Sequence, residues 1–293
     1  MDGSRPIEQV VAGRVFTEGP IWMDDGSLWF SDIPADQLWR WHPETGAELL
    51  RTPNNKGNGM TRDNQGRLVV CEHATSAVTR RTGDGMDREP LATHHAGVEL
   101  NSPNDVVVAR DGSILFTDPS FGRTLADMGV LRDVPQPHRG VYHVPPDGGE
   151  PELLVADMAQ PNGLCLAPDE SVLYVGDTVR AHIRAFRYDG GAAPFPLADA
   201  GVFASGISEV DTRDDNYVDG LKVDELGNVY VTGPGGVWVY ASDGAWIGVI
   251  EVPEPAANLN WGGPDWRSLF ITATTSVYRV RMRVAGHRLG YMR

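Results

Sequence analysis

The sequence has 293 residues, which is enough for one large domain or two ordinary ones. It carries 25 Lys and Arg against 40 Asp and Glu, and this formal net charge of −15 argues against a nucleic-acid or anionic-membrane partner, because such partners need a basic surface. The 34 Gly and 21 Pro are too many for a mainly helical protein and favour short strands joined by turns.

The two cysteines, Cys71 and Cys165, are too few for a disulfide framework or a four-cysteine zinc site. Both lie in apolar, strand-like runs, so we expect buried thiols. The sequence shows neither the apolar core of a signal peptide nor a run of eighteen apolar residues. We therefore expect a soluble, cytoplasmic protein with no membrane partner.

One short pattern recurs six times along the chain: a turn, an apolar strand, and then a small or acidic residue. Its central positions are Leu28, Leu68, Ile114, Leu173, Val229 and Leu269. These positions lie 40, 46, 59, 56 and 40 residues apart, a spacing typical of a four-stranded unit.

The remaining strands of each repeat follow in chain order. Third strands are predicted at residues 37–42, 77–82, 140–144, 182–188, 236–240 and 276–282, and outer strands at 47–51, 152–156 and 246–252. The last repeat lacks an outer strand, which residues 7–12 can supply. The sequence therefore predicts an all-β fold, a six-bladed β-propeller in a single domain over residues 1–293, with the ring closed by the N-terminal strand. A β-sandwich is the alternative, but six repeats with no linker argue against it.

Polar residues stand at one register of the repeats, about ten residues before the central positions. They are Glu18, Asn58, Asn104, Asn162 and Asp219, and the sixth repeat offers Asn258 or Asn260. Because the first strand of each blade lines the channel of a propeller, equivalent residues converge on its axis. Carboxylate and amide oxygens without His or Cys favour Ca²⁺, with Mg²⁺, Mn²⁺ or Zn²⁺ as alternatives. A purely structural ion in the channel is a second interpretation of this ring.

Repeat three carries an insertion at residues 119–139, between its second and third strands. The ends of second strands return to the face that bears the polar ring, so we expect the insertion over the channel mouth. It is either a lid that contacts substrate or a tolerated surface loop. His73 ends the second strand of repeat two and is predicted at the same mouth, either as a substrate contact or as a packed, hydrogen-bonded histidine.

Several stretches resemble the gluconolactonase, regucalcin and luciferin-regenerating-enzyme family, and most closely its bacterial gluconolactonase-like branch. They are Glu18-Gly-Pro-Ile-Trp, Asn101-Ser-Pro-Asn-Asp-Val, Pro161-Asn-Gly-Leu and Val218-Asp-Gly-Leu. The resemblance covers nearly the whole chain and implies a six-bladed propeller. It also implies one divalent ion, often calcium, held by Glu18, Asn104, Asn162 and Asp219. In the family the residue at Asn104 can contact substrate instead, and Ser102 replaces a sugar-binding Arg of regucalcin.

The resemblance further implies a carboxylic-ester hydrolase that opens a small sugar-acid lactone. The cation would act as a Lewis acid on the lactone carbonyl. Asp219 would bind the cation and act as the catalytic general base, with hydroxide on the cation as the alternative base. Asn104, Asp105, His73 and Arg123 are the predicted substrate contacts. Hydrolysis of other lactones or phosphotriesters, or a non-catalytic calcium-binding propeller, are the alternative functions, and no serine-hydrolase, nucleotide-binding or zinc-protease motif is present in the sequence.

Overall fold

The computed structural model describes residues 6–82, 87–146, 148–189, 197–207 and 217–288. Strand β1 (Glu8–Val11) opens the chain and belongs to the last blade. Blade one comprises β2 (Thr17–Trp22), β3 (Leu28–Asp32), β4 (Gln37–His42) and β5 (Gly46–Arg51). Blade two comprises β6 (Gly57–Arg62), β7 (Leu68–Glu72), β8 (Ala77–Thr82) and β9 (Asp87–Ala92).

The next blade is preceded by a two-residue ladder between β10 (His94–His95) and β11 (Val98–Glu99). Blade three comprises β12 (Val106–Val108), β13 (Ile114–Asp118), β14 (Arg139–Val144) and β15 (Glu152–Met158), and the short helix α1 (Phe121–Thr124) lies in its insertion. Ala96 and Gly97, which both have positive φ, fold the chain back on itself between β10 and β11.

The last three blades have the same order of strands. Blade four comprises β16 (Pro161–Leu166), β17 (Val172–Asp177), β18 (His182–Arg187) and β19 (Asp199–Ser205). Blade five comprises β20 (Leu221–Val223), β21 (Val229–Gly233), β22 (Gly236–Tyr240) and β23 (Trp246–Glu251). Blade six comprises β24 (Ala256–Gly262), β25 (Ser268–Ala273) and β26 (Ser276–Arg281), with β1 as its outer strand.

The blades form a closed ring. Each first strand contacts the first strands of both neighbouring blades, and β24 of blade six contacts β2 of blade one. Closure also uses the chain's two ends in one sheet, where β1 pairs antiparallel with β26 and Glu8 lies opposite Arg279. The predicted six-bladed propeller and its N-terminal closing strand are confirmed, while a single domain over all of residues 1–293 stays a prediction.

The hydrophobic core is divided among the junctions between blades. Six buried clusters are present in the described residues, and each joins the second and third strands of one blade to the neighbouring blade. Phe30 of blade one packs with Phe270 of blade six, for example, and Phe116 of blade three packs with Val69 of blade two. Strands such as β7 and β13 are buried on both faces, which explains their continuous apolar sequence. In the described residues no helix is long and apolar enough to cross a membrane.

Candidate active site

The polar ring predicted from the register lies where the first strands approach one another most closely. A glycine follows the ring residue in four of the blades, and a side chain there would collide with the next blade. An added Cβ would lie 2.0 to 2.4 Å from Asn58 O, Asp105 Oδ1, Asp219 O and Asn258 Oδ1 at Gly19, Gly59, Gly163 and Gly220, respectively. The Asn-Gly and Asp-Gly pairs therefore serve close packing of strands around the channel and do not form turns.

Hydrogen bonds between blades fix the height of the ring residues. Gly59 N donates to Asn104 O at 2.8 Å, and Gly163 N donates to Asp219 O at 3.0 Å. Hydroxyl groups on second strands add further links, since Thr117 Oγ1 donates to Asn162 O at 2.7 Å. The repeated Ser or Thr near the end of the second strand was the sequence signal for this role, which sequence reasoning missed.

Three carboxyl groups face this level of the channel from blades one, three and five. Burial, and next the charge of Asp105, raise the pKa of Glu18 from 4.5 to about 7. Burial, and next the charges of Glu18 and Asp105, raise the pKa of Asp219 well above its usual value. Burial also raises the pKa of Asp105, against the charge of Lys222. The charge of Asp105 thus raises the pKa of both other groups, and that of Glu18 raises the pKa of Asp219, so the cluster favours either protons or a bound cation.

Lys222 is a functional candidate that sequence reasoning did not single out. Its Nζ lies 3.6 Å from Asp105 Oδ2, an ion-pair distance longer than a hydrogen bond, and donates to Leu221 O at 2.9 Å. A lysine between two apolar residues of a short strand was the available signal. One ammonium cannot neutralise three carboxylates, so a divalent cation at this level remains electrostatically favourable.

Buried oxygen atoms without hydrogen bonds lie at the same level. Asn58 Oδ1 and Asn162 Oδ1 are buried and have no hydrogen-bond partner within the described ranges. A buried acceptor left unpaired costs about 1–3 kcal/mol, so these atoms fit a cation that would pair with them. The described residues contain no group of three or more His, Cys, Asp and Glu arranged to hold a metal. Two of the four predicted ligands, Asn104 and Asn162, are asparagines, so the predicted set depends on amide oxygens as well as on carboxylates.

The predicted ligands can be placed one by one. Glu18 is only 3% exposed, and its Oε2 accepts from Asn258 Nδ2 at 2.9 Å. Asn104 is buried beside Gly59, and Asn162 donates from Nδ2 to Thr178 Oγ1 at 3.0 Å. Asp219 is partly exposed, and hydrogen bonding from Asn162 opposes the rise of its pKa. Asn258 is the sixth-blade member of the ring.

His73 is only 1% exposed and uses both ring nitrogens. Nδ1 lies 2.8 Å from Met128 O in the insertion, and Nε2 lies 3.2 Å from Asn58 Nδ2 in the ring. Burial, and also the charge of Lys56, lower the pKa of His73 to about 4, although its bond to Met128 opposes this. The geometry favours the packed, hydrogen-bonded histidine over a direct substrate contact.

Arg123 holds the insertion in place. Its guanidinium donates to the backbone oxygens of Asn101 and Leu100 and pairs with Glu99 Oε2 at 2.6 Å. It also donates to Asp133 O at 2.8 Å and to Ser76 Oγ at 2.9 Å. The side chain is buried, so its contacts support a structural role and not the predicted contact with substrate. The insertion itself packs on the mouth-side residue His73, where Gly122 leaves no room for a side chain.

The second strands β3 and β17 end in aspartates, Asp32 and Asp177, that hold neighbouring backbone in place. Asp32 accepts from the backbone N–H groups of Val15 and Phe16, and Asp177 accepts from that of Ala159. Each of these bonds fixes the segment that enters a first strand. These aspartates therefore position the ring residues a few positions further along the chain.

The first strands also enclose a small space beyond the ring residues. A cavity of about 40 Å³ lies there, lined mainly by apolar side chains that include Met60, Val106, Leu164 and Trp261. This volume is too small for an organic molecule of a lactone's size.

Comparison with known proteins bears on this geometry. A family model described as the SMP-30/Gluconolactonase/LRE-like region matches residues 16–275. The chain belongs to this family.

Individual relatives are consistent with that assignment. A gluconolactonase of Zymomonas mobilis is 30% identical over 302 residues, covering 98% of this chain and 84% of the relative. The structure of a gluconolactonase from Xanthomonas campestris has a TM-score of 0.85 and 35% identity, covering 94% of this chain and 89% of the other. A calcium-binding regucalcin from Agrobacterium tumefaciens shares the fold, with a TM-score of 0.74 and 19% identity, over 96% of this chain and 95% of the other. The predicted family is confirmed, and these relatives support the predicted carboxylic-ester hydrolase that acts on lactones.

Proposed function

We propose that this protein hydrolyses a sugar-acid lactone and needs a divalent cation, most simply Ca²⁺, in its central channel. The observation that carries the proposal is the meeting of the Glu18, Asp105 and Asp219 carboxyl groups with unpaired amide oxygens at one level of the channel. Gluconolactonase relatives and a calcium-binding structural neighbour support this combination. The cytoplasmic location and the absence of nucleic-acid and membrane partners stay predictions.

The site residues have two proposed roles, which are to hold the cation and to bind the substrate. Glu18, Asn104, Asn162 and Asp219 would hold the cation, which when bound supplies Lewis-acid polarisation of the lactone carbonyl. Asp105 would accept hydrogen bonds from the substrate, and Asn104 is its neighbour on the same blade. Arg123 would act indirectly by fixing the insertion over the mouth.

Asp219 is proposed to move the proton. One carboxylate oxygen would face the cation and the other would orient a water molecule toward the carbonyl carbon. Asp219 would take a proton from that water as its oxygen bonds to the carbonyl carbon, and would return this proton to the ring oxygen as the ring C–O bond breaks, so that the product is a hydroxy acid and Asp219 is ionised again. Burial and the charges of Glu18 and Asp105 raise the pKa of Asp219 in the metal-free fold, whereas a cation bound beside it would lower that pKa and keep the carboxylate ionised and able to accept the proton.

The test is a panel of aldonolactones, aliphatic lactones and phosphotriesters, assayed with chelator and with added Ca²⁺. Asp219→Asn should lower kcat for the preferred lactone by roughly a thousandfold or more, within the range for loss of a catalytic base. Asp224→Asn is the matched control, since Asp224 is buried in the same blade but bonds to Asn228 and Tyr230 away from the ring.

The outcomes separate the candidate functions. Hydrolysis that is indifferent to chelator and to Asp219→Asn contradicts the metal mechanism. A preference for phosphotriesters selects the other hydrolase activity. If Ca²⁺ raises the melting temperature while no member of the panel reacts, the protein is a calcium-binding propeller without this catalysis.

A further inference from the structure

Asn58 occupies the blade-two position of the polar ring, which the proposed ligand set leaves out. It is 4% exposed and lies between blades one and three. A side chain on Gly19 would collide with its backbone oxygen, and a side chain on the following Gly59 would collide with Asp105. Asn58 thus sits between the Glu18 and Asp105 segments, at the level of the carboxyl groups.

The hydrogen bonds of His73 determine which way the Asn58 amide faces. Met128 O can only accept, so the Nδ1 atom of His73, 2.8 Å away, carries the proton. In the neutral imidazole Nε2 then has a lone pair and accepts from Asn58 Nδ2 at 3.2 Å. The amide nitrogen of Asn58 therefore donates to His73, and its carbonyl oxygen remains available to the polar ring.

That oxygen, Asn58 Oδ1, has no hydrogen-bond partner among the described residues and is closed to water. Asn162 Oδ1, two blades away, is likewise buried and without a hydrogen-bond partner in the described residues. A bare cation in the ring pairs with such oxygens without needing the space of a water molecule. The shared register makes Asn58 equivalent to residues already proposed as ligands.

We propose that Asn58 Oδ1 is a further oxygen ligand of the channel cation, and that His73 is a positioning residue that aims it by joining the Asn58 amide to Met128 O of the insertion. This inference rests on the cation of the proposed function. Its consequence is that the seating of residues 119–139 over the mouth sets the affinity of the ring for the cation.

Isothermal titration with Ca²⁺ alone, at fixed pH, tests the ligand assignment without any substrate. Asn58→Leu should raise the Kd for Ca²⁺ at least tenfold, and Asn58→Asp should lower it at least threefold because it adds a carboxylate of the same size. A gain in affinity cannot come from misfolding. Asn260→Leu is the matched control, because Asn260 donates to Pro20 O deeper in the channel and should bind Ca²⁺ as the wild type does.

The positioning role is tested by a double-mutant cycle. His73→Leu should raise the Kd for Ca²⁺ three- to tenfold, and His73→Gln, which keeps a donor and an acceptor, should recover most of the affinity. Combining His73→Leu with Asn58→Leu should weaken binding no further than Asn58→Leu alone, because His73 acts through Asn58.

Several results overturn the inference. An unchanged Kd for Asn58→Leu, with a raised KM for hydroxylated lactones, would make Asn58 a substrate contact instead. Additive effects in the cycle would show that His73 acts separately. A wild type that binds no Ca²⁺ removes the cation of the proposed function and this inference with it. Tight Ca²⁺ binding that is weakened as predicted, in a protein inactive on every lactone, supports the inference and refutes only the proposed catalysis.

Discussion

Protons and a cation compete for the carboxyl groups of the channel, and this competition should be visible in the stability of the protein. In the metal-free fold the pKa of Glu18 is raised to about 7, chiefly by burial. The pKa of Asp219 is shifted in the same direction. We therefore expect the metal-free protein to depend on pH in a way that added Ca²⁺ abolishes.

The sign follows from the number of protons bound in each state. Between pH 4.5 and about 7 the folded protein keeps a proton on Glu18 that the unfolded chain has released, so the free energy of unfolding falls as the pH rises. At 1.36 kcal/mol per pKa unit, Glu18 alone accounts for about 3 kcal/mol lost by pH 8. The shift of Asp219 adds to this loss with the same sign.

The assay is urea unfolding at pH 5, 6, 7 and 8, in chelator and in excess Ca²⁺, for the wild type and for Glu18→Gln. Groups elsewhere titrate equally in both proteins, so the difference between the two proteins isolates the channel. In chelator, the stability of the wild type relative to the variant should fall by about 2 to 3 kcal/mol from pH 5 to pH 8. In Ca²⁺ the wild type should regain this stability at pH 8, and the variant should gain much less.

Two results would refute the reasoning. The first is a difference between wild type and Glu18→Gln that stays constant from pH 5 to pH 8 in chelator. The second is a wild type that becomes more stable relative to the variant as the pH rises. Either result would mean that Glu18 is ionised without cost in the metal-free fold.

Three further predictions concern other parts of the molecule. Arg123→Met should lower the free energy of unfolding by about 3 kcal/mol and speed proteolysis of the insertion, because the substitution leaves the buried partners of Arg123 without hydrogen bonds. A loss below about 1 kcal/mol would contradict its anchoring role. Lys222→Met removes the charge 3.6 Å from Asp105 and should lower the Kd for Ca²⁺ roughly tenfold at low ionic strength, as titration calorimetry would show, whereas weaker binding would refute this view. Deleting residues 1–12 should lower the melting temperature and cause association through the bare edge of β26, and an unchanged monomer by light scattering would contradict it.

The fold was predictable because its signals are local and repeated. An apolar run ending in a small or acidic residue marks each second strand, and the predicted third strand at 37–42 matches β4 residue for residue. The register of the polar ring was visible for the same reason, since Glu18 and Asp219 each stand ten residues before the central position of their repeat. Helix α1 and the short β10–β11 ladder were missed, because elements of four and two residues are too short to show a periodic pattern of apolar residues.

Contacts between distant segments could not be predicted in this way. His73 and Met128 are 55 residues apart, and nothing in either local sequence specifies their bond. Arg123 was predicted to contact substrate because a basic residue in a mouth insertion suggests binding. Three of its partners are instead backbone oxygens, which sequence patterns do not display. The glycines after the ring residues have the composition of turns, and only the packing of strands around the channel reveals their purpose.

Closure of the ring bears on how this chain folds. The bond from Asn258 Nδ2 to Glu18 Oε2 joins residues 240 apart in sequence, and it can form only after blade six has met blade one. An intermediate with five blades would have the backbone of most of the site but not its geometry. The cation should therefore leave the rates of early folding steps unchanged and slow unfolding, because it stabilises the completed ring and does not assist the formation of the first blades.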